Sequence, residues 1–436
     1  MEKTIALAKA HSDQAELYSL EQTQNTIRFE DTKLKDVQST MQSGVSIRLV
    51  KNQKLGFAYT RSLNNAEELV QNALESLRGG VDVKFDFPLT RTVPTLNTYD
   101  DNITQTTNTA IADECRRIFS FLEQKTKGQV NIYARTAISR MKILNTAGTD
   151  LSTNASYYSI TIMILYPGSA TGIDQSFAFT AFQRVDESDL SMLAELYNQG
   201  EKELDTSGGR LKVLFMPEAM YALIWRLQSA TSGESLYHKQ SPLANRLGER
   251  VFNEKLTIVD DPLEDTRPGA RAFDDEGVAC KRHVIVDKGI LKNYYYDLNY
   301  AAKLNVKPSG HGFKTSRWAG DTISTKPAPA LQYITFERGE KAFRQLIHEM
   351  DKGIIVCGAL GAHSGNIPNG DFSIGLSPGL YVEKGEIVGR IKDAMIAGNI
   401  YEVMKRVIGI ENTIYPAYTG YYPAVLFDDI NVATKS

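Results

Sequence analysis

Apolar and polar positions alternate over much of the first sixty residues, the pattern of half-buried strands. Ala15-Glu16-Leu17-Tyr18-Ser19-Leu20 and Val45-Ser46-Ile47-Arg48-Leu49-Val50 each send every second side chain to one face, with Thr26-Ile27-Arg28-Phe29 between them. Lys51-Asn52-Gln53-Lys54 then turns the chain into Leu55–Thr60 as a hairpin. The period next becomes helical. Leu69, Ala73, Leu74 and Leu77 share one face of a helix over 66–77, which Asn64 or Asn65 can cap and Gly79-Gly80 ends. The stretch 82–109, rich in Pro, Thr, Asn and Asp, reads as an extended surface connection, and a helix is expected over 111–126. The hairpin-to-helix theme then returns: Tyr157–Leu165, a turn at Pro167-Gly168, Gln175–Gln183 and a helix over 190–204. This is a candidate internal repeat of 44–77, without matching side chains.

Thr206-Ser207-Gly208-Gly209 is the best boundary, dividing an N-terminal domain, 1–207, from a C-terminal domain, 210–436. Lys212–Met216 enters the second domain as a strand, and Pro217 opens a helix reaching about Ala230. Beyond Glu249 come short apolar runs between Gly, Pro and Asp turns, as in an antiparallel barrel or curved sheet. Near the end, β-formers flank the Lys384-Gly385 turn of a hairpin, and the apolar spacing over 394–404 predicts a helix. The expected class is α+β: an N-terminal α/β domain with β-hairpins and helices, then a mainly antiparallel, barrel-like β domain.

A chain of 436 residues suggests two or three such domains, each able to bury its own core. The three cysteines, Cys115, Cys280 and Cys357, form no CxxC pair and read as small buried hydrophobes in a reducing compartment. Lys9 interrupts the first apolar run, and no apolar stretch is long enough to span a membrane, so a cytoplasmic protein is expected. The net charge is −3 with Lys and Arg dispersed, which argues against direct nucleic-acid binding.

Candidate chemistry is sparse. The six histidines, His11, His238, His283, His311, His348 and His363, are too far apart for HExxH or HExxxH; His348-Glu349 begins such a motif but no second histidine follows. No GxSxG elbow, GxGxxG or GxxxxGK[ST] occurs. Asp260-Asp261 and Asp274-Asp275-Glu276, flanked by Pro262 and Gly277, read as turn formers. Catalytic and metal-ligating residues are therefore expected to be absent from this chain.

The order LTIVDDP (256–262), FDDEGV (273–278), DKGIL (287–291), PSGHG (308–312), GDFS (370–373), VEKGEI (382–387) and AGN (397–399) resembles the C-terminal half of the TldD/PmbA family. GVSIRLVKNQKLGFAYT (44–60) is similar to its N-terminal domain. The resemblance implies one of two branches. TldD-like members carry a zinc HExxxH motif and a late cysteine ligand; PmbA/TldE-like members, once called modulators of DNA gyrase, lack them and pair with the first to form a cytosolic zinc metallopeptidase. Here the motif position, counted back from Leu247-Gly248-Glu249, falls near Ile224 to Ser229, and no cysteine follows Cys357: the stretch 411–422 offers Tyr415, Tyr418, Tyr421 and Tyr422 instead. The resemblance thus implies a PmbA/TldE-like subunit that itself holds no zinc, with zinc in a TldD-like HExxxH partner and unfolded or modified-precursor peptides as substrates. Ser309 and His311, with Asp371, Phe372 and Ser373, are the peptide-binding candidates, expected on flexible polar loops around the cleft. The alternatives are an autonomous metallohydrolase using dispersed residues such as His311, Glu349 and His363, and a homodimeric peptide-binding protein without enzymatic activity.

Overall fold

The structure, a computed structural model, describes residues 1–62, 65–315, 321–417 and 420–434. Asn64 and Tyr418 lie outside them; Asn65 does cap its helix, its side chain accepting from the Glu68 N–H at 3.0 Å.

Seven antiparallel strands form the first sheet, centred on the pair Gln14–Glu30 and Gln129–Asn145. Outward from Gln14–Glu30 lie Lys33–Lys51, Lys54–Thr60 and Val81–Asp82; outward from Gln129–Asn145 lie Asp150–Leu165 and Gly172–Phe179. Each side is built in the same order of helix, three strands and helix, with Glu2–His11 and Ala66–Ser76 on one side and Asn108–Glu123 and Glu187–Gln199 on the other. Two findings differ from the sequence pattern. The polar run 21–25 reads as a break, yet Gln14–Glu30 is one strand, because both its edges are paired and every backbone group there is satisfied. Gln129–Asn145 has no clear sequence signature, since Arg135, Ser139, Arg140 and Lys142 interrupt its apolar positions.

A second sheet of ten strands curves into a half-barrel. Gly209–Phe215 lies inside it, parallel to Gly353–Val356 and antiparallel to Val425–Thr434. After the turn Pro217–Ala219, the helix Tyr221–Thr231 is largely engulfed, with Leu223, Ile224 and Leu227 fully buried. The Lys384-Gly385 hairpin is observed, both residues having positive φ. The helix expected over 394–404 is not: Ala394–Asn399 is a strand between Asp371–Leu376 and Val425–Thr434, and only Ile400–Val403 is helical. Ala394 and Ile396 are buried and Met395 is exposed, a period of two that a short apolar run does not separate from a helical one.

The two halves meet through buried charge. Arg48 donates to Glu16 Oε1 from Nε (3.0 Å) and Nη2 (2.7 Å), and to Glu276 Oε1 from Nη1 (2.6 Å). Asp274 does form the expected turn, accepting from the Glu276 and Val278 N–H groups, but Glu276 crosses to the first sheet. Gly312 permits this approach: a Cβ there would lie 2.1 Å from Glu276 Oε2.

Candidate functional site

One face of the first sheet is greasy and the other polar. Along Asp150–Leu165, Tyr158, Ile160, Ile162 and Ile164 are fully buried beneath the two helices, so Tyr157, Ser159 and Thr161 must point the other way. They form the floor of a cleft of about 860 Å³ whose other sides are lined by residues of the C-terminal half. In register with them, Arg135 pairs with Ser159, and Thr161 with Ser176 of the edge strand, whose hydroxyls are 2.9 Å apart. Trp225, Gln228 and Ser229 of the engulfed helix form one wall, and Pro416, Ala417 and Tyr421 another. Tyr295 is fixed by donating from its hydroxyl to the Gln228 carbonyl at 2.7 Å. Tyr421 lies 4.4 Å under the Arg267 guanidinium, and burial pushes its phenol up to about 12. The cleft is rich in aromatic rings and hydroxyls, with Glu234 its one carboxylate among the described lining residues.

Parts of both stretches singled out by the resemblance, 224–229 and 411–422, line this one cleft. Ile224 is buried, Trp225 and Ser229 line the cleft rather than the core, and the late segment contributes Pro416, Ala417, Gly420 and Tyr421. Zinc requires histidine, thiolate or carboxylate donors, and this set does not fit it. Among the described residues, no group of three or more His, Cys, Asp and Glu side chains is placed to hold a metal ion. His311, Glu349 and His363 do not converge: the first is buried, and the others are exposed on the helix Phe343–Met350 and on a loop.

The five peptide-binding candidates fall in two places, and none lines this cleft. Ser309 and His311 are sealed and rigidly held. Ser309 Oγ accepts from the Tyr296 N–H (2.7 Å) and lies 2.8 Å from His311 Nδ1; His311 Nε2 is 3.3 Å from Asp260 Oδ2. His283 packs on His311 with ring centres 4.7 Å apart, and burial and then that neighbour push it down to about 4, so it stays neutral. The constellation has the members of a serine triad, but the hydroxyl is 6% exposed, out of reach of a substrate. Asp371, Phe372 and Ser373 lie on the strand Asp371–Leu376, not on a loop. Asp371 is exposed and accepts from Asn399 Nδ2, and Phe372 belongs to the core. Here the missed residue is Arg226, fully buried, which donates to the carbonyls of Ala222, Ala362, Ser364 and Asp371 and so clamps the glycine-rich segment onto the helix. Burial lowers its guanidinium to about 10.

The three cysteines are buried and free. No helix among the described residues is long and apolar enough to cross a membrane.

Comparison with known proteins agrees with the geometry. Residues 208–434 match the PmbA/TldA metallopeptidase C-terminal domain, and residues 15–77 match PmbA/TldA metallopeptidase domain 1. A Methanocaldococcus jannaschii protein, MJ0231, is 23% identical over 94% of this chain and 95% of its own. The metalloprotease TldD homolog of Haemophilus influenzae is 24% identical over 96% and 92%. The crystal structure of TldE from Thermococcus kodakarensis superposes with a TM-score of 0.89 at 22% identity, covering 99% of each chain. With more than half of its length matched by the C-terminal domain model, the chain belongs to the PmbA/TldD metallopeptidase family.

Proposed function

We propose that this chain is the PmbA/TldE-like subunit of a two-component zinc metallopeptidase. It shapes a cleft for an extended peptide, while the zinc and the general base come from a TldD-like HExxxH partner. Both TldD and TldE names occur among the similar proteins; the described residues facing the cleft support the PmbA/TldE-like branch. The observation that carries the reading is that Trp225, Gln228 and Ser229 meet Pro416, Ala417, Gly420 and Tyr421 on one 860 Å³ cleft with no set of three metal donors among the described residues. An aromatic, hydroxyl-rich floor flanked by the edge strand Gly172–Phe179 suits an extended backbone and excludes a folded domain. The division at 206–209 and the cytoplasmic setting belong to the same proposal.

The test is reconstitution. The purified chain should contain no stoichiometric zinc and leave unstructured peptides intact, and adding a TldD-like chain should produce chelator-sensitive cleavage. Robust cleavage by this chain alone, with about one zinc per chain, would refute the assignment.

A further inference from the structure

Among the described residues, the arginines that lose contact with water have hydrogen-bond or ion-pair partners for their guanidinium groups, Arg135 excepted, although Nε of Arg271 is also without a partner. Arg48, Arg117, Arg246, Arg271, Arg390 and Arg406 each pair with carboxylates, and Arg226 and Arg267 donate to carbonyls and to a hydroxyl. Arg135, half-buried on the cleft floor, makes no hydrogen bond or ion pair to any described residue, and its Nε is shielded from solvent without a partner. An N–H in such a place has lost hydration without compensation.

Its position is nevertheless fixed. It stands within a strand paired on both sides, Thr26 on one and Ser159 on the other. Its guanidinium carbon lies 5.6 Å over the Tyr157 ring, a stacking contact that orients the planar fork. The only other charged residue among the described lining is Glu234, exposed and already accepting from the Tyr300 hydroxyl at 3.0 Å. Among the described lining residues Arg135 is therefore the one cation, uncommitted and stacked on Tyr157, with Glu234 the one carboxylate. A carboxylate is the group whose two oxygens match that fork, and an extended peptide can bring one on an acidic side chain or at its C-terminus.

We propose that Arg135 anchors a carboxylate of the bound peptide and sets a preference for acidic or C-terminal segments. The proposal rests on the reading of the cleft as a peptide site. The test uses fluorescently labelled extended peptides in matched sets: an Asp or Glu against its amide, and a free C-terminus against an amidated one. Binding is measured to the chain alone and to the reconstituted pair. Wild type should bind the carboxylate form about tenfold tighter than the amide in one set, which identifies the source. Arg135→Gln should abolish that difference while leaving the amide peptide's affinity unchanged, and Arg135→Lys should restore part of it. A loss of affinity for both forms alike would show a merely structural role and overturn the proposal, as would a preference that survives in Arg135→Gln. Peptides that bind wild type with no preference between carboxylate and amide overturn it too, leaving the cleft reading intact. Absence of binding to any peptide, with the partner present, sinks both.

Discussion

Glu218 gives the sharpest test of the packing between the two halves. Asp174 from the edge strand Gly172–Phe179, Glu218 from the turn Pro217–Ala219 and Glu411, next after the strand Val407–Ile410, line one cavity of about 30 Å³ with Cys357 and Tyr415. No Lys, Arg or His lines it among the described residues. Glu218 Oε1 is shielded from solvent and has no hydrogen-bond partner. Burial, and then the Asp174 carboxylate, push Glu218 up to about 8; burial pushes Asp174 up to about 6 and Glu411 up to about 7. The folded state thus keeps a proton on Glu218 that the unfolded chain releases near its ordinary value of 4.5. Between these values folding takes up protons, so this contribution is fully present below 4.5, declines as pH rises, and is gone above about 8. At ~1.4 kcal/mol per pH unit the interval corresponds to about 5 kcal/mol. Water reaching the partly exposed side chain screens some of this, leaving about 3 kcal/mol. Glu218→Gln keeps the shape and cannot ionise. In urea unfolding at pH 5 and pH 9, the variant should gain about 3 kcal/mol relative to wild type across that interval, with unchanged m-values. Parallel pH profiles for the two proteins would refute the reasoning, because they would mean that Glu218 titrates alike in both states.

Two further outcomes follow from buried groups. Arg48→Met strands Glu16 and Glu276 without their cation and should cost about 3–5 kcal/mol in denaturant unfolding; adding Glu16→Gln and Glu276→Gln should recover part of the loss, and a neutral Arg48→Met would show that the triad does not hold the halves together. Writing the motif back as Ile224→His, Trp225→Glu and Ser229→His should destabilise the chain by about 2–5 kcal/mol, chiefly through the buried Ile224, and give no tight zinc by elemental analysis, because a third ligand is still missing.

Where one face of an element is buried, its period was readable: Tyr157–Leu165 and the helix 66–77 announce their buried sides, whereas Val45–Val50 alternates in sequence yet is buried on both faces, Ser46 and Arg48 included. The failures have physical causes. In Gln129–Asn145 the alternation is broken by Arg135 where the strand meets the cleft floor and by Arg140 and Lys142 where Met141, Ile143 and Asn145 take over the buried side. Over 394–404 the run is short enough for periods of 2 and 3.6 to coincide, and only pairing with two neighbouring strands decides between them.

The site itself was least legible where the resemblance was strongest. The short motifs that carry it mark the framework: Asp274 and Glu276 of FDDEGV and His311 and Gly312 of PSGHG are buried together at the junction, where Gly312 makes room for the Glu276 carboxylate and donates its N–H to Asp274. Close approach and buried charge tolerate few residue types, so such positions write recognisable patterns into a sequence. An open cleft imposes looser demands on any one side chain, and its residues come from segments as distant as Arg135, Trp225, Tyr333 and Tyr421. Glycine-rich, polar composition therefore pointed to the hinges of the framework. The proposed binding surface instead lies in the odd-numbered side chains of one strand, Tyr157, Ser159 and Thr161, whose even-numbered neighbours Tyr158, Ile160 and Ile162 are core. The same alternation extends to the unpartnered Arg135 on the next strand, so the polar face of a sheet whose apolar face is accounted for is the place to look for a ligand's chemistry in this fold.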